Sequence, residues 1–261
     1  ILTVAVIEAW EKKHGKIPAG KRPRGIAISP DGKTIYVSDQ PTNGVNVIDV
    51  AARKVVANIH LGESPEGVGY SPDGRWVAVA VEETNSVAII DTATRKVAVN
   101  LKVTGKNPEH AVFSPDSRWL YVSAEEGDVV DVIDAQAQKQ VTSIKVGARP
   151  RGIGFLPDGG RAYVAGEEAN SVYSIDTAKQ SVLRAIKASV RANGIAVRAD
   201  GKRVFVSNGE GTVMAIDTAN DAVIATIRVG QRPWNMAITP DGDRKSTRLN
   251  SSHIPLSRMP S

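Results

Sequence analysis

A turn signal recurs along this sequence at nearly constant spacing. It reads Ser-Pro-Asp-Gly at Ser29 and Ser71, Ser-Pro-Asp-Ser at Ser114, Leu-Pro-Asp-Gly at Leu156, Arg-Ala-Asp-Gly at Arg198 and Thr-Pro-Asp-Gly at Thr239. Its aspartates, Asp31, Asp73, Asp116, Asp158, Asp200 and Asp241, lie 42, 43, 42, 42 and 41 residues apart. A second marker, an acid closing an apolar run, falls at Glu8, Asp49, Asp91, Asp134, Asp176 and Asp217, with spacings of 41, 42, 43, 42 and 41. Two independent markers sharing one period make each stretch of about 42 residues a structural unit.

Within one unit, four short runs rich in Val, Ile and Tyr are bounded by turn residues: GIAIS, TIYVS, VNVID and KVVANIHL. Pro at the second and Gly at the fourth place of the turn suit a tight hairpin connection. Four antiparallel strands per period predict an all-β fold, a β-propeller of four-stranded blades. Five units are complete. Residues 1–20 supply third and fourth strands, residues 234–239 a first strand, so partial blades are expected at both ends, with the propeller spanning 1–242. The first two strands of each unit are nearly all apolar and are expected to be covered on both faces.

Composition narrows the functional classes. There are no cysteines, which removes disulfides, thiolate catalysis and thiolate-held metals. No apolar run approaches the roughly 20 residues of a membrane-spanning helix, so no membrane insertion is expected. The sequence begins without Met or a charged-then-apolar leader, as in a mature form or one lacking its N-terminus. Of the net charge of +5, residues 243–261 carry four bases against one acid, leaving 29 bases and 27 acids in 1–242, a net of +2. A nucleic-acid reading of the basic balance therefore rests mostly on this tail.

The tail itself, DRKSTRLNSSHIPLSRMPS, lacks both markers and any strand or helix period. It resembles a translated sequencing adapter, whose codons give each residue from Asp243 to His253, and is expected to be non-native and irregular.

TIYVSD, WLYVSA, RAYVAG and RVFVSN, each followed by a VIDxAxxKVV-like run and a VGxRP link, resemble the YVTN-repeat β-propellers. GKRPRGIAISPDGK and VGQRPWNMAITPDG look most like the branch found beside pyrroloquinoline-quinone-dependent alcohol catabolism in bacteria. The resemblance implies an exported, periplasmic or extracellular protein of about seven blades, monomeric when intact. On that count the chain reads as a fragment. Quinoprotein dehydrogenases carry tryptophan docking motifs in most blades, and the aliphatic ends of IDTATRKVAV and its equivalents speak against a quinone enzyme; no cofactor and no metal are expected.

Strand direction puts the links between units on the same side as the loops between second and third strands. The residues opening the first strands are Arg24, Glu66, Glu109, Arg151, Asn193 and Trp234, expected to ring one mouth of the channel. Two residues upstream lie Arg22, Ser64, Asn107, Arg149, Arg191 and Arg232. Side-chain diversity concentrated on a regular scaffold marks a binding site. The arginines suit a small anionic ligand or a protein partner through bidentate forks. The alternative is internal pairing with the loop acids Glu82, Glu83, Glu125, Glu126, Glu167, Glu168 and Glu210. Glu109 and His110 offer an acid-base pair, and with it a lactonase-like hydrolase as the alternative function. Glu66, Glu109, Asn193 and Asn235 have oxygens suited to calcium, and a nucleic-acid-binding propeller is the third reading. The repeated aspartates are expected to serve turn geometry. A non-catalytic binding scaffold is the reading these features favour.

Overall fold

The structure, a computed structural model, describes residues 15–238, 244–247 and 254–255. The chain divides into two compact units, one over Ile17–Lys145 and one over Val146–Ser261 with Ile1–Lys16. The strands expected within residues 1–14 lie outside the described residues.

The first unit holds three four-stranded antiparallel sheets. The first blade is β1 (Pro23–Ile28), β2 (Thr34–Asp39), β3 (Gly44–Asp49) and β4 (Lys54–His60). The second is β5 (Pro65–Tyr70), β6 (Trp76–Val81), β7 (Ser86–Asp91) and β8 (Lys96–Lys102). The third is β9 (Pro108–Phe113), β10 (Trp119–Ala124), β11 (Val129–Asp134) and β12 (Lys139–Lys145). The second unit holds the fourth blade, β13 (Pro150–Phe155), β14 (Arg161–Gly166), β15 (Ser171–Asp176) and β16 (Ser181–Lys187), and the fifth, β17 (Ala192–Val197), β18 (Arg203–Asn208), β19 (Thr212–Asp217) and β20 (Ala222–Arg228). Beyond them, β21 (Met236–Ile238) pairs with β22 (Arg244–Thr247), which pairs with β23 (Ile254–Pro255). These last two strands are the only described part of the tail read from sequence as irregular.

Alternation builds the cores between blades. Val77, Val79 and Val81 of β6 join Tyr36, Val45 and Val47 of the first blade, whereas Ala78, between them in sequence, joins Leu120, Val122 and Ile133 of the third. In the second unit Tyr163 and Val172 pack with Val204, Val206 and Met214 across the fourth and fifth blades. Successive side chains of one strand thus serve two cores, which is why second strands need apolar residues at almost every place.

The expectation of full coverage, made for first and second strands, holds for the second and needs correcting for the first. In β1, Ile26 is 63% and Ile28 57% exposed. Their equivalents Val68 and Tyr70 pack into the core shared with the preceding blade. A first strand is covered by the blade before it, and within the Ile17–Lys145 unit no blade precedes β1.

The turn between first and second strands explains its own sequence. The Ser29 hydroxyl donates to Asp31 Oδ1 at 2.6 Å and accepts from Thr34 N–H at 2.9 Å, while Asp31 Oδ1 accepts from Lys33 N–H at 3.1 Å. Gly32, at φ 71°, closes the turn onto Ser29 O at 2.8 Å. The same bonds recur around Ser71 and Ser114.

Candidate functional site

Two backbone devices place the residues that open the first strands. The first is close approach. A Cβ on Gly25 would lie 2.5 Å from Glu66 O, and one on Gly194 would lie 2.5 Å from Trp234 O. Adjacent first strands therefore run side by side, and at Gly25 and Gly194 only glycine fits after the opening residue. In β9 that place is taken by His110. The second device is a serine at the fifth place of the second strand. Ser38 Oγ accepts from Gly25 N–H at 2.8 Å and donates to Glu66 O at 2.5 Å, bridging two blades. Ser207 does the same between Gly194 N–H at 2.8 Å and Trp234 O at 2.6 Å. Both hydroxyls belong to fully buried residues, so the opening residues Glu66 and Trp234 sit on pinned backbone.

The links are strained. Ser64, Asn107, Arg149, Arg191 and Arg232 all have left-handed φ between 52° and 59°. Asn tolerates this region, whereas arginine there costs about 1 kcal/mol. Side chains of the second-to-third loop hold two of these links: Asn85 Oδ1 accepts from Asn107 N–H at 2.8 Å, and Asn170 Oδ1 from Arg191 N–H at 2.9 Å.

In the Ile17–Lys145 unit the opening residues form a polar network. Arg24 Nε donates to Glu66 Oε2 at 2.7 Å, and the carboxylate is almost wholly buried. Burial pushes the Glu66 carboxyl up from its ordinary pKa, against the pull of Arg24. Gln40 donates to Glu66 Oε1 and, at 2.9 Å, to Ser64 Oγ, which in turn donates to Glu82 Oε2 at 2.9 Å. Gln40 was not anticipated from sequence. It occupies the place just after the second strand that Glu82, Glu125 and Glu167 hold in later units, and that register was the available signal.

Arg22 is exposed, with its N–H donating to Asp39 Oδ1 at 2.7 Å. Glu109 is buried. His110, its neighbour, is pushed down to about 4 by burial and by the Arg24 charge, so it is neutral at pH 7, and its buried Nδ1 has no hydrogen-bond partner among the described residues.

In the Val146–Ser261 unit, Arg151 and Glu167 form a buried pair at 2.9 Å. Arg149 lies 3.6 Å from Glu167 and 3.2 Å from Glu168. Internal pairing, the alternative weighed from sequence, thus accounts for Arg24, Arg149 and Arg151. It stops at the fifth blade. There Gly209 stands where the other loops carry Glu or Gln, and the next acid, Glu210, accepts from Thr212 Oγ at 3.3 Å. Among the described residues no ion pair forms at Arg191 or Arg232.

Arg151 and Arg232 place their guanidinium carbons 5.7 and 5.3 Å from the centroid of the Trp234 ring. Between Arg151 and Trp234 in strand order lies Asn193, 3% exposed, whose Oδ1 has no hydrogen-bond partner among the described residues.

The repeated aspartates bond local backbone. Asp49 Oδ1 accepts from Ala52 N–H at 2.7 Å, and Asp91 Oδ1 from Thr94 N–H at 2.7 Å. The Thr94 N–H and hydroxyl hold the Asp91 carboxyl below its ordinary pKa. Among the described residues, no group of three or more His, Cys, Asp or Glu is placed to hold a metal ion, and no helix is long and apolar enough to cross a membrane.

Comparison with known proteins agrees with this architecture. A model described as lactonase, 7-bladed beta-propeller, matches residues 4–103, ending before Glu109 and His110. Among solved structures, hydrazine synthase of Kuenenia stuttgartiensis aligns with a TM-score of 0.66 and 21% identity, over 90% of this chain and 96% of that one. A functionally unknown protein from Desulfotomaculum acetoxidans aligns with a TM-score of 0.74 and 18% identity, over 85% of this chain and 78% of that one. At these identities the likeness is one of fold. No curated protein matches. The model described as YNCE-like beta-propeller matches residues 80–242, more than half of the sequence, and the chain belongs to that family.

Proposed function

We propose that this propeller is a non-catalytic binding scaffold, and that Arg191 and Arg232 with Trp234 hold a small anion. One observation carries the reading: the loop carboxylate that neutralises Arg149 and Arg151 in the fourth blade is replaced by Gly209 in the fifth, leaving Arg191 without an acid among the described residues. An arginine kept in a left-handed link with its charge uncompensated is a poor choice for stability and a good one for an anion. Export and a place beside quinone-dependent alcohol catabolism, implied by the sequence resemblance, belong to the same proposal; secretion of the full-length protein in a bacterial host tests the former.

Calorimetric titration with inorganic phosphate, sulfate and small carboxylates tests the site. Saturable binding is expected, weakened roughly 10- to 100-fold in Arg191→Gln, because charge-assisted bonds of this kind contribute about 1.5–3 kcal/mol. Arg24→Gln, which removes an arginine already held by Glu66, is expected to leave it unchanged. An absence of saturable binding overturns the reading.

The hydrolase reading draws on the lactonase model over residues 4–103 and on Glu109 and His110. A histidine with a pKa near 4 is a weak base at neutral pH, which favours binding over catalysis. Lactone hydrolysis that disappears in His110→Ala and Glu109→Ala would reverse that preference.

A further inference from the structure

We infer that the anion held by Arg191 and Arg232 is a hydroxycarboxylate whose hydroxyl donates to Asn193 Oδ1. The inference rests on the anion-binding reading and adds the ligand's second group.

Asn193 is the starting point. It is the second residue of β17, two after Arg191, and its side chain is almost wholly buried with the carbonyl oxygen unpartnered among the described residues. A buried acceptor without a donor costs about 1–3 kcal/mol, and such groups in native proteins are satisfied by protein, water or ligand. The protein has no room to satisfy it by shifting β17. Gly194 is pinned through Ser207 to Trp234 O, and on the other side a Cβ on Gly152 would lie 2.5 Å from Asn193 O. Asn193 is therefore fixed between the strand of Arg151 and the segment of Trp234.

Charge selects the donor. Arg151 and Arg232 both lie against the Trp234 ring, and Arg191 stands in the link two residues before Asn193. An ammonium donor would be repelled by these cations, whereas a hydroxyl on the carbon beside a carboxylate is neutral and within one bond of the group the arginines attract. A small acid with that arrangement meets an arginine and the Asn193 oxygen together.

The test compares malate with succinate, which differ by that hydroxyl alone, on the full chain at pH 7.5. Malate is expected to bind about tenfold more tightly, the effect of one hydrogen bond to a buried acceptor. In Asn193→Leu the two acids are expected to bind alike, with succinate affinity retained. In the wild-type protein, the Asn193 side-chain carbonyl carbon is expected to shift in NMR spectra with malate and not with succinate, a readout independent of any variant's folding. Equal affinity for both acids in the wild type, or a malate preference that survives Asn193→Leu, overturns the inference while leaving the anion site standing. Binding of neither acid removes the anion reading with it.

Discussion

Ser207 makes a bond inside its own blade and another to the next, through one hydroxyl. Replacing it with alanine would leave Gly194 N–H and Trp234 O without that partner in a buried place, at a cost of about 1–3 kcal/mol. Gly194→Ala is expected to be worse, because its new Cβ would meet the Trp234 carbonyl at 2.5 Å, and a backbone atom cannot swing aside. Urea unfolding midpoints should rank wild type above Ser207→Ala and Ser207→Ala above Gly194→Ala. His110, standing where other blades carry glycine, makes a prediction about acid. Its folded pKa is depressed to about 4 from 6.5, first by burial, then by Arg24. Between those values the unfolded chain binds the proton and the folded one does not, so stability contributed by neutral His110 is present above 6.5 and lost as pH falls towards 4. His110→Gln should flatten the fall of the urea midpoint across that window; an unchanged slope assigns the loss to other groups. Asp31 and Asp91 add a loss of the same sign at lower pH, since hydrogen bonds from Ser29 and from Thr94 respectively hold their folded pKa values below the ordinary one.

At the scale of strands and blades, the sequence exposes whatever recurs and hides whatever does not. The strand TIYVS was read at residues 34–38 and β2 runs Thr34–Asp39, because Pro, Asp and Gly turns act locally and repeat. The bridging role of the serine within that strand depends on which carbonyl the neighbouring blade presents, and periodicity does not encode that. Arginine pairing was foreseen as an alternative because the loop acids recur, but its failure at Gly209 is a single substitution within a regular pattern. The orphaned Asn193 oxygen depends on packing and left no trace in sequence. Another such feature joins residues 58 positions apart: Tyr163 O–H donates to Asp221 Oδ1 at 2.6 Å, beside Arg161 at 3.1 Å from the same oxygen, while Ser174 Oγ donates to Asp221 Oδ2 at 2.8 Å. Burial and Asp221 push the Tyr163 hydroxyl far above its ordinary pKa, so it stays a donor. This clamp fastens β14 and β15 of the fourth blade to the last turn of the fifth. Tyr163→Phe is expected to lower stability by about 1 kcal/mol, and Asp221→Ala by more, because three donors then lose their acceptor. A double variant no worse than Asp221→Ala alone would show that the tyrosine acts through the carboxylate.

For the whole molecule, charge distribution decides between the anion reading and the nucleic-acid one. The net charge is +5, and four of the bases, Arg244, Lys245, Arg248 and Arg258, lie in the last 19 residues with one acid, so 1–242 carries only +2. Polyanion binding scales with the number of phosphates neutralised and falls steeply with salt, whereas a small anion held by two arginines at a built site is far less sensitive. Replacing those four bases with glutamine keeps the chain length and the β22 backbone while bringing the net charge from +5 to +1. Retention on heparin or duplex DNA at low salt is expected to drop sharply in this variant, with carboxylate titrations at Arg191 and Arg232 unaltered. If DNA binding instead persisted in the variant, fell in Arg191→Gln and was displaced by malate, the phosphate backbone would be the anion the fifth blade recognises. The steepness of the salt dependence separates the two cases, because only the polyanion releases many counterions on binding.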